Sequence, residues 1–200
     1  HKPCWMCKNK KLPYGLDVFG FFLSEIGLGQ SARLYHAAAA SQNISITAVN
    51  RSLPGRESEP TFQDLLSQHG KHRVGLSIAG LVAFRKIARE LCNQRRNIAL
   101  PLWELDTVSE RRVKSLRGFE TLWAPSNFVK ESLERATQRP VALLRHPLHV
   151  PASTILEREP ANPLKILFFF DFDSFSTRKN PEGAVKAFQL AFAKNEDVLL

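Results

Sequence analysis

Short blocks of consecutive apolar residues alternate along this chain with stretches whose apolar positions recur at helical spacing. The first block, residues 16–22 (LDVFGFF), predicts a buried strand. Gly27-Leu28-Gly29 then leads into a predicted helix over 30–40, with Leu34, Tyr35 and Ala38 on one side. Further strands are expected at 44–49, 73–79, 97–103, 121–124 and 141–144. Helices are expected at 62–67, 82–92, 108–116 and 126–136. Within 82–92, Phe84, Ile87, Ala88 and Leu91 share a side. Ser126 is placed to cap the last helix, with Phe128, Val129, Leu133 and Ala136 directed inward. Strands that are apolar throughout, separated by helices, belong to sheets covered on both faces. The expected fold is therefore α/β, a Rossmann-like, mostly parallel sheet with helices on both faces.

The same pattern suggests an organisation. Residues 1–14 form a polar stub and 15–148 carry the alternation. Residues 149–163 contain Pro151, Pro160 and Pro163, the composition of a connector between domains. After it, residues 166–170 read as a strand, Arg178-Lys179 lie in a polar loop, and Asn180-Pro181 open an amphipathic helix. A strand, a cationic turn and a helix make half of a nucleotide-binding βαβ unit. Residues 164–200 are thus expected to be a lone strand and helix, the start of an incomplete second domain. No internal repeat interrupts this plan.

Charge adds a partner class. The 200 residues carry a net charge of +9, which favours a polyanionic or phosphorylated partner. The cations are spread: Lys8, Lys10 and Lys11; Arg85, Lys86, Arg89, Arg95 and Arg96; Arg111, Arg112, Lys114 and Arg117. Each cluster alone reads as a solvated helix face. The aromatics sit inside apolar blocks rather than among the cations, which argues against nucleic acid. No apolar run reaches the ~20 residues that cross a bilayer, and no secretory leader is visible. A cytoplasmic location is expected, with peripheral contact at the inner face of the membrane compatible with the charge. Cys4 and Cys7 form a C-x-x-C to which His1 could add a third ligand, while Cys92 stands alone. A structural zinc site wants a second such pair, so no metal is expected.

Ligands of parallel sheets collect at the C-terminal ends of the strands, which selects four loops. In Ser24–Ser31, Gly27 and Gly29 would let backbone approach a phosphate beside a helix start, although a Gly-x-Gly also serves a plain tight turn. Glu104 and Asp106 follow a strand; they would suit sugar hydroxyls or acid–base work, or Asp106 would simply cap the next helix. Arg145-His146-Pro147 ends the last strand of the first domain. Arg178 and Lys179 precede a helix N-terminus, as suits a diphosphate.

Several segments resemble a known family. FGFFLSEIGLGQSARLYHAAA, LPLWELD, LWAPSNFVKESLE, LLRHPLHVP and FFFDFDSFSTRKNPEGAVKAFQLAF are similar to the corresponding segments of GT-B glycosyltransferases of the retaining family 4 type, the glycosyl transferases group 1. The resemblance runs from about residue 15 to the end. It implies two Rossmann-like domains facing across a cleft, an acceptor-side domain first and a nucleotide-sugar domain second. It implies transfer of a sugar, with retention, from a nucleotide-diphosphate sugar to a glycan or lipid-linked acceptor. Gly27 and Gly29 would approach the donor phosphates, and Arg178 and Lys179 would neutralise the leaving diphosphate as catalytic groups. Glu104, Asn127 and His146 would line the cleft. No cofactor is implied, since cations and helix dipoles do the work of a metal. The family's E-x7-E glutamate pair has no counterpart here, so a fragment without transferase activity of its own is expected. The alternative is a non-catalytic α/β binding module whose basic surface meets a membrane or nucleic acid.

Overall fold

The computed structural model describes residues 11–56, 60–148, 163–170, 176–192 and 197–200. Cys4, Cys7 and His1 lie outside these residues, as does most of the expected connector. The chain separates into two compact units, residues 1–149 and 150–200.

The first unit is built on a parallel sheet. Its strands are β1 (Leu16–Gly20), β2 (Ile46–Asn50), β3 (Val74–Gly80), β4 (Arg96–Leu102), β5 (Thr121–Ala124) and β6 (Val141–Leu143). They lie in the order β2-β1-β3-β4-β5-β6, and every described pairing is parallel. The expected α/β class is therefore what the chain forms. The strand order reverses beside β1: the chain steps outward to β2, then returns past β1 to β3. Right-handed crossovers in opposite directions put their helices on opposite faces. Helix α1 (Gly27–Ala40) covers one face, where Val18, Ala48, Leu76, Ile78, Ile98 and Leu100 pack with Ala32 and Tyr35. Helices α2 (Phe84–Ile87), α3 (Glu110–Ser115) and α4 (Asn127–Thr137) belong to the other face. There Ala79, Ala99, Leu122 and Ala124 meet Phe84, Ile87, Leu116, Phe119, Val129 and Leu133. Alternate residues of β3 thus feed two cores, which is why the strands read as unbroken apolar runs.

Local differences from the pattern have local causes. Helix α1 begins at Gly27 rather than at Gln30, because Gln30 N–H already bonds the Ile26 carbonyl (3.0 Å). The helix expected over 82–92 is a 3-10 turn (Leu81–Ala83) followed by one α turn. After Ile87 the amides of Arg89 and Glu90 bond i−3 carbonyls, and the Asn97 side chain then ties the Cys92 and Arg95 carbonyls into a turn. Ser126 caps α4 as expected, its Oγ accepting from Val129 N (3.3 Å). Phe128, expected inward, is 48% exposed; it occupies the first turn, ahead of the point where Val129 and Leu133 meet the sheet. Glu134 joins α4 to β6, accepting from Lys130 Nζ (2.7 Å) and Val141 N (3.2 Å). Those bonds hold its carboxyl below the usual range.

The second unit contains β7 (Leu164–Lys165), α5 (Ser176–Lys179), α6 (Pro181–Phe192) and β8 (Val198–Leu199). Strand β7 pairs in parallel with β8, so the expected lone strand is a short closed βαβ crossover. The expected strand over 166–170 is absent. Regular pairing extends only as far as β8 matches it, ending with Ile166 N–H on the Leu199 carbonyl (2.8 Å).

Candidate functional site

The reversal of strand order beside β1 is a topological switch point, and crevices at the carboxyl ends of such strands are where open parallel sheets bind ligands. Three exit segments meet there. After β1, Ser24 N–H turns back to the Phe21 carbonyl (2.9 Å). Arg33 of α1 donates from Nη1 to the Phe22 (2.7 Å) and Ser24 (3.2 Å) carbonyls, and Asn50 at the end of β2 accepts from Leu23 N–H (3.2 Å). Sequence reading did not single out Arg33, although it lies within a segment quoted above, or Asn50. Their partners are backbone atoms, which sequence does not display.

The two candidate glycines have different roles. A Cβ on Gly29 would run into the Ser24 carbonyl oxygen and lie 2.7 Å from that of Phe21. The chain's own turn therefore demands Gly29. A Cβ on Gly27 would meet nothing within 4 Å. Gly27 opens α1, no side chain caps that end, and the first turn holds no acid. The first-turn amides of a helix have no intrahelical partner and sit at the positive end of its dipole.

His146 is brought to this helix from the far edge of the sheet. Ser31 Oγ donates to the Gly27 carbonyl (2.7 Å), so the 2.9 Å contact with His146 is made by His146 donating from Nε2. Nδ1 is then the bare nitrogen, buried without a hydrogen-bond partner. The imidazole stacks on Tyr35 (5.1 Å between centroids, 22° between planes). Burial pushes the His146 pKa down and that of Tyr35 up to about 12. The phenol accordingly stays protonated and donates to the Leu144 carbonyl (2.9 Å). Gly27, Ser31, Tyr35 and His146 form one cluster.

No protein-family model and no curated protein matches this chain. Its chemistry must be read from the arrangement itself.

A cleft of about 290 Å³ opens at the switch point. Phe21 follows β1, Asn50 ends β2 with Arg51 and Ser52 just after it, and Lys86 and Glu90 follow β3. Arg51 Nη1 donates to Glu90 Oε2 at 2.6 Å, while Arg51 Nε is buried without a partner. Carboxylate, guanidinium, amide and hydroxyl groups thus share the cleft with Ala83, Ile87 and the buried Phe21, a mixed lining that can take a polyhydroxylated ligand. The Arg51–Glu90 pair escaped sequence reading because 39 positions separate the two residues, and only the sheet order joins them.

The remaining candidates occupy separate places. Glu104 and Asp106 are exposed in the segment after β4. Asp106 does not cap α3, whose N-cap position is Ser109; the Asp106 carbonyl instead accepts from Arg135 Nη2 (3.1 Å). Trp103 Nε1 donates to the Thr107 carbonyl (3.0 Å), and Arg112 lies over its ring at 4.7 Å. Asn127 opens α4 after β5 and is exposed. In the second unit, Arg178 and Lys179 end the helical turn α5, and Lys179 is exposed. Asn180, at φ 47°, accepts from Gly183 N–H through Oδ1 (3.2 Å) and so caps α6, with Pro181 at its first position.

A buried ion network unsuspected from sequence lies at the opposite, N-terminal edge. Asp17 accepts from Lys71 N, His72 N, His72 Nδ1 and Arg95 Nη2, each at 2.9 Å. Asp17 is fully buried and every one of these partners is internal, so the network pins β1 to the segment before β3. Beside it, a cavity of about 190 Å³ is bordered by Phe19, Arg51, Glu90 and Arg95, whose charges are already paired. Among the described residues no three His, Cys, Asp or Glu side chains are grouped to hold a metal, and no helix is long and apolar enough to cross a membrane.

Proposed function

We propose that this chain belongs to a GT-B glycosyltransferase of the retaining family 4 type. It would move a sugar from a nucleotide-diphosphate sugar to a glycan or lipid-linked acceptor. The observation that carries the reading is the switch-point cleft. A crevice lined by Asn50, Arg51, Ser52, Lys86 and Glu90 beside Ala83 and Ile87 opens at the carboxyl ends of a parallel sheet, and the uncapped N-terminus of α1 starts from the same β1 exit segment. The segments resembling that family agree with it.

Each unit has its own part in this reading. In the first, Glu90 and Asn50 accept from acceptor hydroxyls. The paired Arg51 fixes the Glu90 carboxylate, and Glu104 and Asn127 extend the polar edge. His146 acts through Ser31, holding the first turn of α1 so that its amides stay available to an anion. In the second, Arg178 and Lys179 neutralise the diphosphate as the glycosidic bond breaks, a charge that grows toward the transition state and therefore accelerates the reaction when fixed cations meet it.

The test is release of nucleoside diphosphate from a panel of nucleotide sugars, with the protein expressed from its complete reading frame. Arg178→Ala and Lys179→Ala should each lower turnover by ~10²–10³-fold, the loss typical of one preorganised donor. Glu90→Gln should raise the acceptor KM more than it lowers kcat. A reading frame that consumes no donor refutes the transferase. Wild-type turnover in both cation variants refutes their role at the leaving group.

A further inference from the structure

At the N-terminal edge of the sheet, three neighbouring strands bring a serine, a histidine and an aspartate together. Asp17 lies on β1, Ser45 directly precedes β2, and His72 stands just before β3. Strands β2 and β3 flank β1, so the imidazole has to cross the start of β1 to reach Ser45. Gly15 makes that crossing possible. At φ 139° its backbone favours glycine, and a Cβ there would run into His72 Cδ2 and lie 2.6 Å from the Ser45 carbonyl oxygen.

The bonds set the proton positions. His72 Nδ1 is 2.9 Å from Asp17 Oδ1, with Thr47 Oγ1 further off at 3.3 Å. A carboxylate only accepts, so Nδ1 carries the hydrogen. In the neutral imidazole Nε2 is then bare, and Ser45 Oγ, 3.0 Å away, donates to it. Nucleophile, base and orienting carboxylate stand in this same relation wherever a serine hydroxyl is activated for acyl transfer. Accessibility divides as that chemistry requires. Asp17 and His72 are buried, which fixes the ring, while Ser45 is exposed to an incoming substrate. Arg95 and two backbone amides complete the strand-pinning part of the network on the Asp17 side, where Ser45 takes no part.

We propose that Ser45 is an acyl-accepting nucleophile, with His72 as its general base and Asp17 positioning the imidazole, and that its substrates are small carboxylic esters with a good leaving group. Ser45 Oγ attacks the ester carbonyl carbon as its proton passes to His72 Nε2. The Oγ–C bond forms, the bond to the leaving alcohol breaks, and the proton moves on to that alcohol's oxygen. A water molecule, deprotonated by the same Nε2, then cleaves the acyl-serine, releasing the acid and restoring Ser45. The substrate class follows from the surroundings. Ser45 lines neither cavity described above, and Ile44 and Tyr14, on the segments beside it, are 43% and 81% exposed, so an acyl group meets an open apolar rim. General-base assistance supplies ~10²–10⁴-fold, enough for an ester that is already activated. The inference does not depend on the transferase reading, because its residues lie outside the site proposed for acceptor and donor.

The experiment treats the whole chain with two probes, p-nitrophenyl acetate and an alkyl fluorophosphonate. The second loses fluoride as Oγ displaces it from phosphorus, leaving a permanent tag. Mass spectrometry should find one tag per chain, on the peptide holding Ser45, and the acetate should give a burst of p-nitrophenolate. Ser45→Ala changes an exposed side chain and should lose both the tag and the burst, while Ser45→Cys should restore the burst. Ser41, an equally exposed serine whose hydroxyl donates to the Ala38 carbonyl (2.8 Å), has no base behind it and should stay untagged. Asp17→Asn separates positioning from support. In the folded variant the side-chain amide can donate to Nδ1 and so move the imidazole hydrogen to Nε2, which should slow tagging of Ser45 by ~10³–10⁴-fold. Tagging at the wild-type rate in folded Asp17→Asn would overturn the role of Asp17. Should that variant unfold by circular dichroism, the contrast between Ser45 and Ser41 in the wild type decides the site. No tag on Ser45 in the folded wild type, or equal tagging of the two serines, would overturn the proposal.

Discussion

Removing the Asp17 carboxylate should be among the most damaging single changes in this protein, although Asp17 lies at the edge of the sheet away from the switch-point cleft. Its two oxygens take four bonds, two from backbone amides and two from His72 and Arg95. Arg95 is 6% exposed, so Asp17→Ala strands a guanidinium with little water to turn to. Breaking one half of a buried ion pair costs ~3–5 kcal/mol, and each orphaned buried amide costs ~1–3 kcal/mol when nothing relaxes. These losses overlap, so the whole effect is set at ~4 kcal/mol. For a chain of this length that corresponds to a fall in Tm of ~8–16 °C. Asp17→Asn keeps the volume, but its amide group must face a donor at one of the two positions; ~2–3 kcal/mol is expected.

Tryptophan fluorescence during urea unfolding is a clean readout, because all three tryptophans, Trp5, Trp103 and Trp123, fall in the first unit and the second has none. Replacing both partners by apolar residues of similar size, Asp17→Leu with Arg95→Met, should recover part of the loss, since the cost comes from the uncompensated charge rather than from the missing pair. A loss under ~1 kcal/mol in Asp17→Ala would mean that water reaches the network. A double variant as damaged as the two single losses added together would refute the charge argument.

Three further outcomes follow from named contacts. Gly29→Ala should destabilise by ~2 kcal/mol or more, since the added methyl meets two backbone carbonyls that cannot step aside; Gly27→Ala should be neutral or stabilising by up to ~1 kcal/mol, and urea midpoints of the pair check the contrast. Ser126→Ala should cost ~1 kcal/mol through loss of the α4 cap, read as reduced hydrogen-exchange protection at Val129. Burial lowers the pKa of both His146 and His36, so the unfolded chain holds more protons than the folded one just below the ordinary histidine value of ~6.5. Stability should therefore be full above that value and fall as the pH drops through it toward the folded pKa values; His146→Asn should flatten this slope, and an unchanged slope would show that the imidazole is not desolvated.

The fold was legible because both sides of the sheet are covered. Strands such as LSIAG in β3 feed two cores at once and leave an unbroken apolar signal, while α1 and α4 each show a helical stripe. Boundaries were less legible where tertiary bonds decide them. The helix expected over 82–92 stops after Ile87 because the Asn97 side chain turns the chain back toward β4, and a helix period in the sequence carries no trace of that bond. The strand expected over 166–170 has the composition of a strand, yet a strand lasts only as long as its neighbour, and β8 pairs with Leu164 and Lys165.

The candidate site divides along the same physical line. Residues that act through their own local geometry, such as Gly27, Ser126 and the Asn180-Pro181 helix start, were visible because chain neighbours fix what they do. Residues that act across the sheet were not. The sequence places His146 on a turn; the fold sets it against Ser31, 115 positions earlier, with its ring on Tyr35. Arg51 and Glu90 meet only because β2 and β3 flank β1, an order no local pattern encodes. Gly29 shows the converse. A Gly-x-Gly before a helix invites a phosphate, yet the space beside Gly29 is filled by the carbonyls of Phe21 and Ser24, and the glycine exists so that the turn can close. Closing that turn is what leaves Gly27 open at the head of α1. The two glycines therefore act in series: the second shapes the loop, and the first inherits an unobstructed helix end. A substitution at Gly29 should then impair anion binding only through loss of the fold, whereas a bulky residue at Gly27 should impair it in a protein of wild-type stability.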